Sequence, residues 1–359
     1  MQRILRLLAP IALLLASMAL VACGGGDKAD TGGKAVSSTS DPQKILDDTF
    51  SGGDKKVESG KFDLTMKLNA TGGGSTLNGP IDVKLSGPFQ SLGKGKVPKF
   101  DINLEFTGAG QNIKAGVTST GEKGFINFNG QDYAVGDDVF KQFTQGYEQA
   151  QSQNKSSGGT LKELGITPQD WLKDPKVDGG SSVGGTDTVK VSGAIDVPAM
   201  LDDINTLLSK AGSLGIPNTG QIPSKLTSAQ IKQVEEAVKT ADVEIETGKD
   251  DSILRRIAFT LAIDDPSGSG GKADIDFDLS LTELGQDQEV SEPSNTKPLN
   301  DLIGQFGGLG ALGGLGGGSG SSSGGGGVSS DAAAKYTACV NDAGSDQSKL
   351  EKCADLLTP

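Results

Sequence analysis

Strict alternation of apolar and polar residues, repeated along the middle of the chain, limits what it can fold into. Phe62, Leu64, Met66 and Leu68 alternate with Asp63, Thr65, Lys67 and Asn69. Ile81, Val83 and Leu85 alternate with Asp82, Lys84 and Ser86, and Phe100, Ile102, Leu104 and Phe106 with Asp101, Asn103, Glu105 and Thr107. The same period returns at Ile257, Phe259, Leu261 and Ile263, and at Ile275, Phe277, Leu279 and Leu281. Successive side chains of a strand point to opposite faces, so each run predicts a strand with one apolar and one wet face, as in an antiparallel sheet. Shorter strands are expected near residues 113–118, 123–129, 133–135, 186–195 and 243–247. Asn129-Gly130 has the residues of a two-residue hairpin turn.

Helical spacing is rarer. It begins after Asp41-Pro42 with Ile45, Leu46 and Phe50, and runs over 137–151 with Val139, Phe140, Phe143 and Tyr147 on one face. A short helix opens at Thr167-Pro168 and carries Trp171 and Leu172. Another opens at Val197-Pro198 with Met200, Leu201, Ile204, Leu207 and Leu208, and a last one at Thr227 with Ile231, Val234 and Val238. About four helices must therefore cover a long sheet. The predicted class is α+β, a curved antiparallel sheet or half-barrel wrapped around a few helices. Such a sheet can leave a cleft where the helices do not fill the concavity.

The chain contains no histidine. That removes Ser-His-Asp and Cys-His nucleophile systems and the commonest zinc and haem ligands, so the chain is read as a non-enzyme with no cofactor and no metal. Its net charge of −13 argues against nucleic acid as a partner, because phosphate binding needs a basic surface. Motif matches do not change this. Gly308 to Gly313 fits a dinucleotide fingerprint but lies inside a glycine-rich linker rather than between a strand and a helix. Gly180-Ser181-Ser182-Val183-Gly184 fits a nucleophile elbow without a base, and reads as a loop. Asp274, Asp276 and Asp278 resemble the start of a calcium loop, but Leu279 stands at position six and no Glu follows at position twelve. The adjacent pairs Asp202-Asp203, Asp250-Asp251 and Asp264-Asp265 read as a helix polar face and strand ends.

At the N-terminus, Arg3 and Arg6 precede an apolar run from Ile11 to Val21. This is the layout of a secretion signal, residues 1–22. About 15 strongly apolar residues are fewer than the ~20 that a membrane span needs. Leu20-Val21-Ala22-Cys23 resembles the lipobox of bacterial lipoproteins. The resemblance implies an acyl chain such as palmitate on Cys23, cleavage before it, and anchoring on the outer face of the cell membrane or in an outer membrane. Residues 23–40 are poor in apolar side chains and read as a tether, 41–297 as the folded domain, and 298–330 as a Gly/Ser-rich linker. Residues 331–359 read as a small helical hairpin. With Cys23 taken by lipid, Cys339 and Cys353 remain as an even pair in an oxidising compartment. A disulfide between them would close a loop worth roughly 3 kcal/mol in the chain-entropy model. The hairpin is a candidate contact for a protein partner.

The segment Ser192 to Leu201, a strand ending in Gly-x-Ile-Asp that runs into an apolar helix, is similar to lipoproteins of the LppX/LprG type and, more distantly, to LolA-like carriers. The resemblance covers roughly residues 41–285 and is one of pattern rather than of a signature motif. It implies an apolar pocket for the acyl chains of a lipid or glycolipid, with the Met200–Leu208 helix as a gate. Candidate cleft residues are Phe62, Leu64, Phe100, Phe106, Met200, Leu201, Ile204, Phe259 and Phe277. Aromatic residues make up only 4 % of the chain, and a Leu/Ile/Val interior suits an acyl pocket and an ordinary packed core equally. The alternative is therefore a structural or protein-binding envelope lipoprotein without a ligand cavity.

Overall fold

The computed structural model describes residues 41–50, 57–72, 79–108, 110–153, 165–210, 225–264 and 270–305. The signal, Cys23 and its tether, most of the glycine-rich linker, and Cys339 and Cys353 lie outside them. The chain divides into one unit up to Leu299 and a second from Asn300. Of the second, only the helix that starts at the boundary, Leu299–Gln305, is described.

The first unit is built on one open sheet. Its strands are β1 (Ser59–Thr71), β2 (Gly79–Gln90), β3 (Lys99–Gly108), β4 (Gln111–Ser119), β5 (Gly124–Phe128), β6 (Gln131–Ala134), β7 (Leu172–Val183), β8 (Thr186–Ile195), β9 (Val238–Gly248), β10 (Leu254–Asp264), β11 (Lys272–Thr282) and β12 (Lys297–Pro298). The order across the sheet is β12-β6-β5-β4-β3-β2-β1-β11-β10-β9-β8-β7. Two meanders thus meet at a central β1–β11 pair, where Phe62 lies opposite Leu281 and Leu64 opposite Leu279. All pairs are antiparallel except the short β12–β6 pair at one edge, which is parallel. The fold is α+β with an unclosed sheet, as the alternation predicts.

The helices are α1 (Pro42–Phe50), α2 (Asp137–Gln153), α3 (Val197–Lys210) and α4 (Ser228–Ala237), with a 3-10 turn at Pro168–Trp171. Their starts follow local chemistry. The Asp41 carboxylate accepts the Gln43 amide at 3.0 Å, Asp196 accepts the Ala199 amide at 3.1 Å, and Thr227 with Gln230 forms a capping box. α1 packs on β7 and β8, and α4 on β9. With α3 they bury Ile45, Leu46, Leu201, Ile204 and Val234 against Val191 and Ile245 in one filled core. Each such side chain contributes about 1.5–3 kcal/mol by leaving water.

Two local readings change. Residues 180–183 are not a loop: they are the end of β7, which turns into β8 through Gly184-Gly185, both at positive φ. Nothing in LKDPKVDGGSSV alternates, because β7 is an edge strand with register shifts that presents few apolar residues to the core. Asp203 is not a spectator on a helix face. It accepts the Thr167 amide at 2.7 Å and the Trp171 indole N–H at 2.8 Å, and so fixes the 3-10 turn.

From β11 the chain crosses back to β12 along one end of strands β1 to β5. Lys61 binds Glu283 at 2.8 Å, the Gln288 amide donates to Gln90 at 2.9 Å, and Lys123 binds Glu292 at 2.8 Å. Residues 283–298 form a strap joining the two edges of that half of the sheet.

Candidate functional site

Register carries apolar residues across the sheet in rows. Phe259 of β10 lies opposite Phe277, Phe277 opposite Met66, Met66 opposite Val83, Val83 opposite Phe106 and Phe106 opposite Ile113. A neighbouring row runs Ile257, Leu279, Leu64, Leu85, Leu104, Ala115 and Phe128. Cross-strand neighbours share a face, so this face is apolar from β10 to β5.

Its cover is unequal. At β8 and β9 the helices bury it. In the middle, Phe62, Leu64, Phe89, Phe277 and Leu279 form a second cluster, with Phe259 stacked on Phe277 at 4.6 Å between centroids. From β2 to β5, Ile81, Val83, Leu85, Leu104, Phe106, Ile113 and Ile126 are only half-buried, and Val117 is 42 % exposed. Among the described residues, no helix packs on these strands as α1 and α4 do on β7–β9. Helix α2 meets the face at its margin, where the Phe140 ring lies over Gly124. A Cβ on Gly124 would sit 2.7 Å from that ring, so the contact requires glycine.

The nine candidate cleft residues divide accordingly. Met200, Leu201 and Ile204 are in the filled core beneath α3. Phe62, Leu64 and Phe277 are in the central cluster, with Phe100 and Phe259 packed against it. Phe106 lies beyond both, half-buried on β3. Half-buried Val83, Leu85, Leu104 and Ile113 and exposed Val117 complete the surface. Alternation marked Val83, Leu85 and Leu104 as one apolar face, but only the strand order tells which strands the described helices leave open.

The opposite face is polar. A groove of about 410 Å³ there is lined by Thr65, Lys67, Asp242, Glu244, Arg256, Ala258, Thr260, Asp276 and Asp278, together with Phe259 and Phe277. Arg256 reaches Asp278 at 2.8 Å through Nε, and Glu244 and Glu246 at 3.1 Å each through Nη1. Burial works against the Arg256 charge, but hydrogen bonds to Asp278, Glu244 and Glu246 outweigh it, so the guanidinium is held above its ordinary range. Buried Glu246 also accepts the Thr188 hydroxyl at 2.8 Å. Asp278 is thus the partner of an arginine and Asp276 of the Thr260 hydroxyl, on a strand rather than in a calcium loop. Among the described residues no group of carboxylates, cysteines or histidines is arranged to hold a metal ion.

No protein-family model matches the chain, and no curated protein matches it. Among solved structures it is similar to LprF from Mycobacterium bovis, at 16 % identity and a TM-score of 0.32, covering 70 % of this chain and 96 % of that one. It is also similar to the Mycobacterium tuberculosis lipoprotein LppX, at 10 % identity and a TM-score of 0.29, covering 70 % of this chain and all of the other.

Proposed function

We propose that this protein is a lipid-anchored, non-enzymatic envelope protein that binds or transfers a lipid or glycolipid, and that the acyl chains lie on the apolar face of β1–β5. The observation that carries this reading is the half-burial of that face, from Val83 to Ile126, beside a core that is fully covered at β7–β9. A contiguous exposed apolar surface on a single chain marks a binding site more often than it marks plain surface. The lipobox-like Leu20 to Cys23 supports placement at a membrane, where such a ligand is at hand. Binding would be by partition, at about 0.8 kcal/mol per buried CH₂. The acidic composition supports an apolar grip over an electrostatic one.

The test is native mass spectrometry of the full chain from a lipid-containing host, followed by organic extraction. An acyl group on Cys23 is covalent and stays with the chain, whereas a ligand on the sheet extracts. The expected result is one extractable lipid per chain, lost in Phe106→Asp with unchanged circular dichroism. A chain with no extractable mass and no uptake of added phospholipid or glycolipid would leave the structural or protein-binding reading in its place.

A further inference from the structure

Three large apolar side chains stand out as exposed: Val117 at 42 %, Val139 at 49 % and Phe143 at 51 %. They belong together. Val117 lies on the apolar face of β4, opposite Ile126. Gly124, two residues before Ile126, shares that face, and Phe140 of α2 sits on it. Phe140 leads to Phe143, with ring centroids 6.0 Å apart, and Phe143 to Tyr147 at 6.4 Å. Val139 and Phe143 are four residues apart and share one side of the helix. The half-buried sheet face therefore meets α2 at Phe140, which is buried against it, and the exposed apolar ridge of α2 stands beside that contact.

We infer that this ridge, Val139 and Phe143 with Val117 at its foot, enters the surface of the bilayer to which Cys23 attaches the chain, and that it is where an amphiphile passes between bilayer and sheet. The inference rests on the proposed function. Eighteen residues separate Cys23 from the start of α1, a contour of at most about 65 Å. That keeps the domain within reach of the bilayer, so a contact too weak to hold a free protein suffices at the effective concentration the attachment sets. The charged residues of α2, Asp137, Asp138, Lys141 and Glu148, lie on the side of the helix turned away from the ridge and are more acidic than basic, so α2 brings no basic cluster to it. The contact is thus apolar insertion into neutral lipid, not attraction to anionic headgroups.

The test uses the full acylated chain reconstituted in phosphatidylcholine vesicles with dibrominated acyl chains, which quench indole on contact. Phe143→Trp adds an indole on the ridge, and Lys141→Trp adds one on the same helix away from it. The expected result is a blue shift and strong quenching of the added indole in Phe143→Trp, with neither in Lys141→Trp. Equal quenching at both positions, or none at either, overturns the inference. A second variant, Phe143→Ser, should take lipid from vesicles about tenfold more slowly, the factor that corresponds to about 1.4 kcal/mol. It should bind the same lipid from detergent micelles as the parent does. Equal uptake from vesicles by parent and variant also overturns the inference. A parent that carries no lipid, yet shows quenching, defeats the proposed function while leaving the docking surface in place.

Discussion

Glu246 is 4 % exposed on an otherwise wet face of the sheet, and its charge is met by Arg256 and the Thr188 hydroxyl. Removing one partner of such a pair leaves a buried charge uncompensated. Arg256→Met is expected to destabilise the fold by about 2 kcal/mol in urea titration, discounted from the fully buried case because the arginine is partly solvated. Arg256→Met combined with Glu246→Gln should recover part of that loss; a double variant no better than the single would show that the charge is not the cause. Asp203 works in the same way for neutral donors. Asp203→Ala strands the Trp171 indole N–H and the Thr167 amide, at about 1–3 kcal/mol. Trp171 is the chain's one tryptophan, so its emission should report the change directly. Neither role was legible in the sequence. Asp203 stands beside Asp202 on a polar helix face, and Arg256 acquires its three carboxylates only through the register of β9, β10 and β11.

At the scale of elements, alternation read β1, β3, β10 and β11 correctly because each carries apolar residues on one face and polar residues on the other, whether or not helices cover the apolar one. It missed β7, whose position at the sheet edge asks for no such face. It also could not say which apolar strands the helices cover, since that depends on strand order and not on period. The strap is irregular up to β12 and is held in part by Lys123 and Glu292. Hydrogen bonding to Glu292, then its charge, raises the Lys123 pKa above the ordinary lysine value. A lysine pKa raised by folding gives stability that is complete below the unfolded value and is lost as pH rises through the folded one. Titration of the Lys123 side chain by NMR should show a value above that of an ordinary lysine, falling toward it in Glu292→Gln. An unchanged titration in that variant would remove the strap's charge contact from the account.

At the scale of the molecule, one sheet serves two halves with different cover. Substitution should expose the asymmetry. Leu201→Ala, in the filled core, is expected to cost about 2–5 kcal/mol, whereas Leu104→Ala, on the half-buried face, should cost much less and weaken lipid binding instead. Equal stability losses would mean that the β2–β5 face is packed as tightly as the β8–β9 face. Photolabelling locates a bound lipid on the sheet. The full chain is loaded with a phospholipid bearing a photoreactive group in its acyl chain, irradiated, digested and sequenced by mass spectrometry. Saturable labelling confined to peptides of residues 59–129, competed by unlabelled lipid, is the expected result. Labelling of α3 and β8–β9 instead, or labelling that does not saturate, would contradict it.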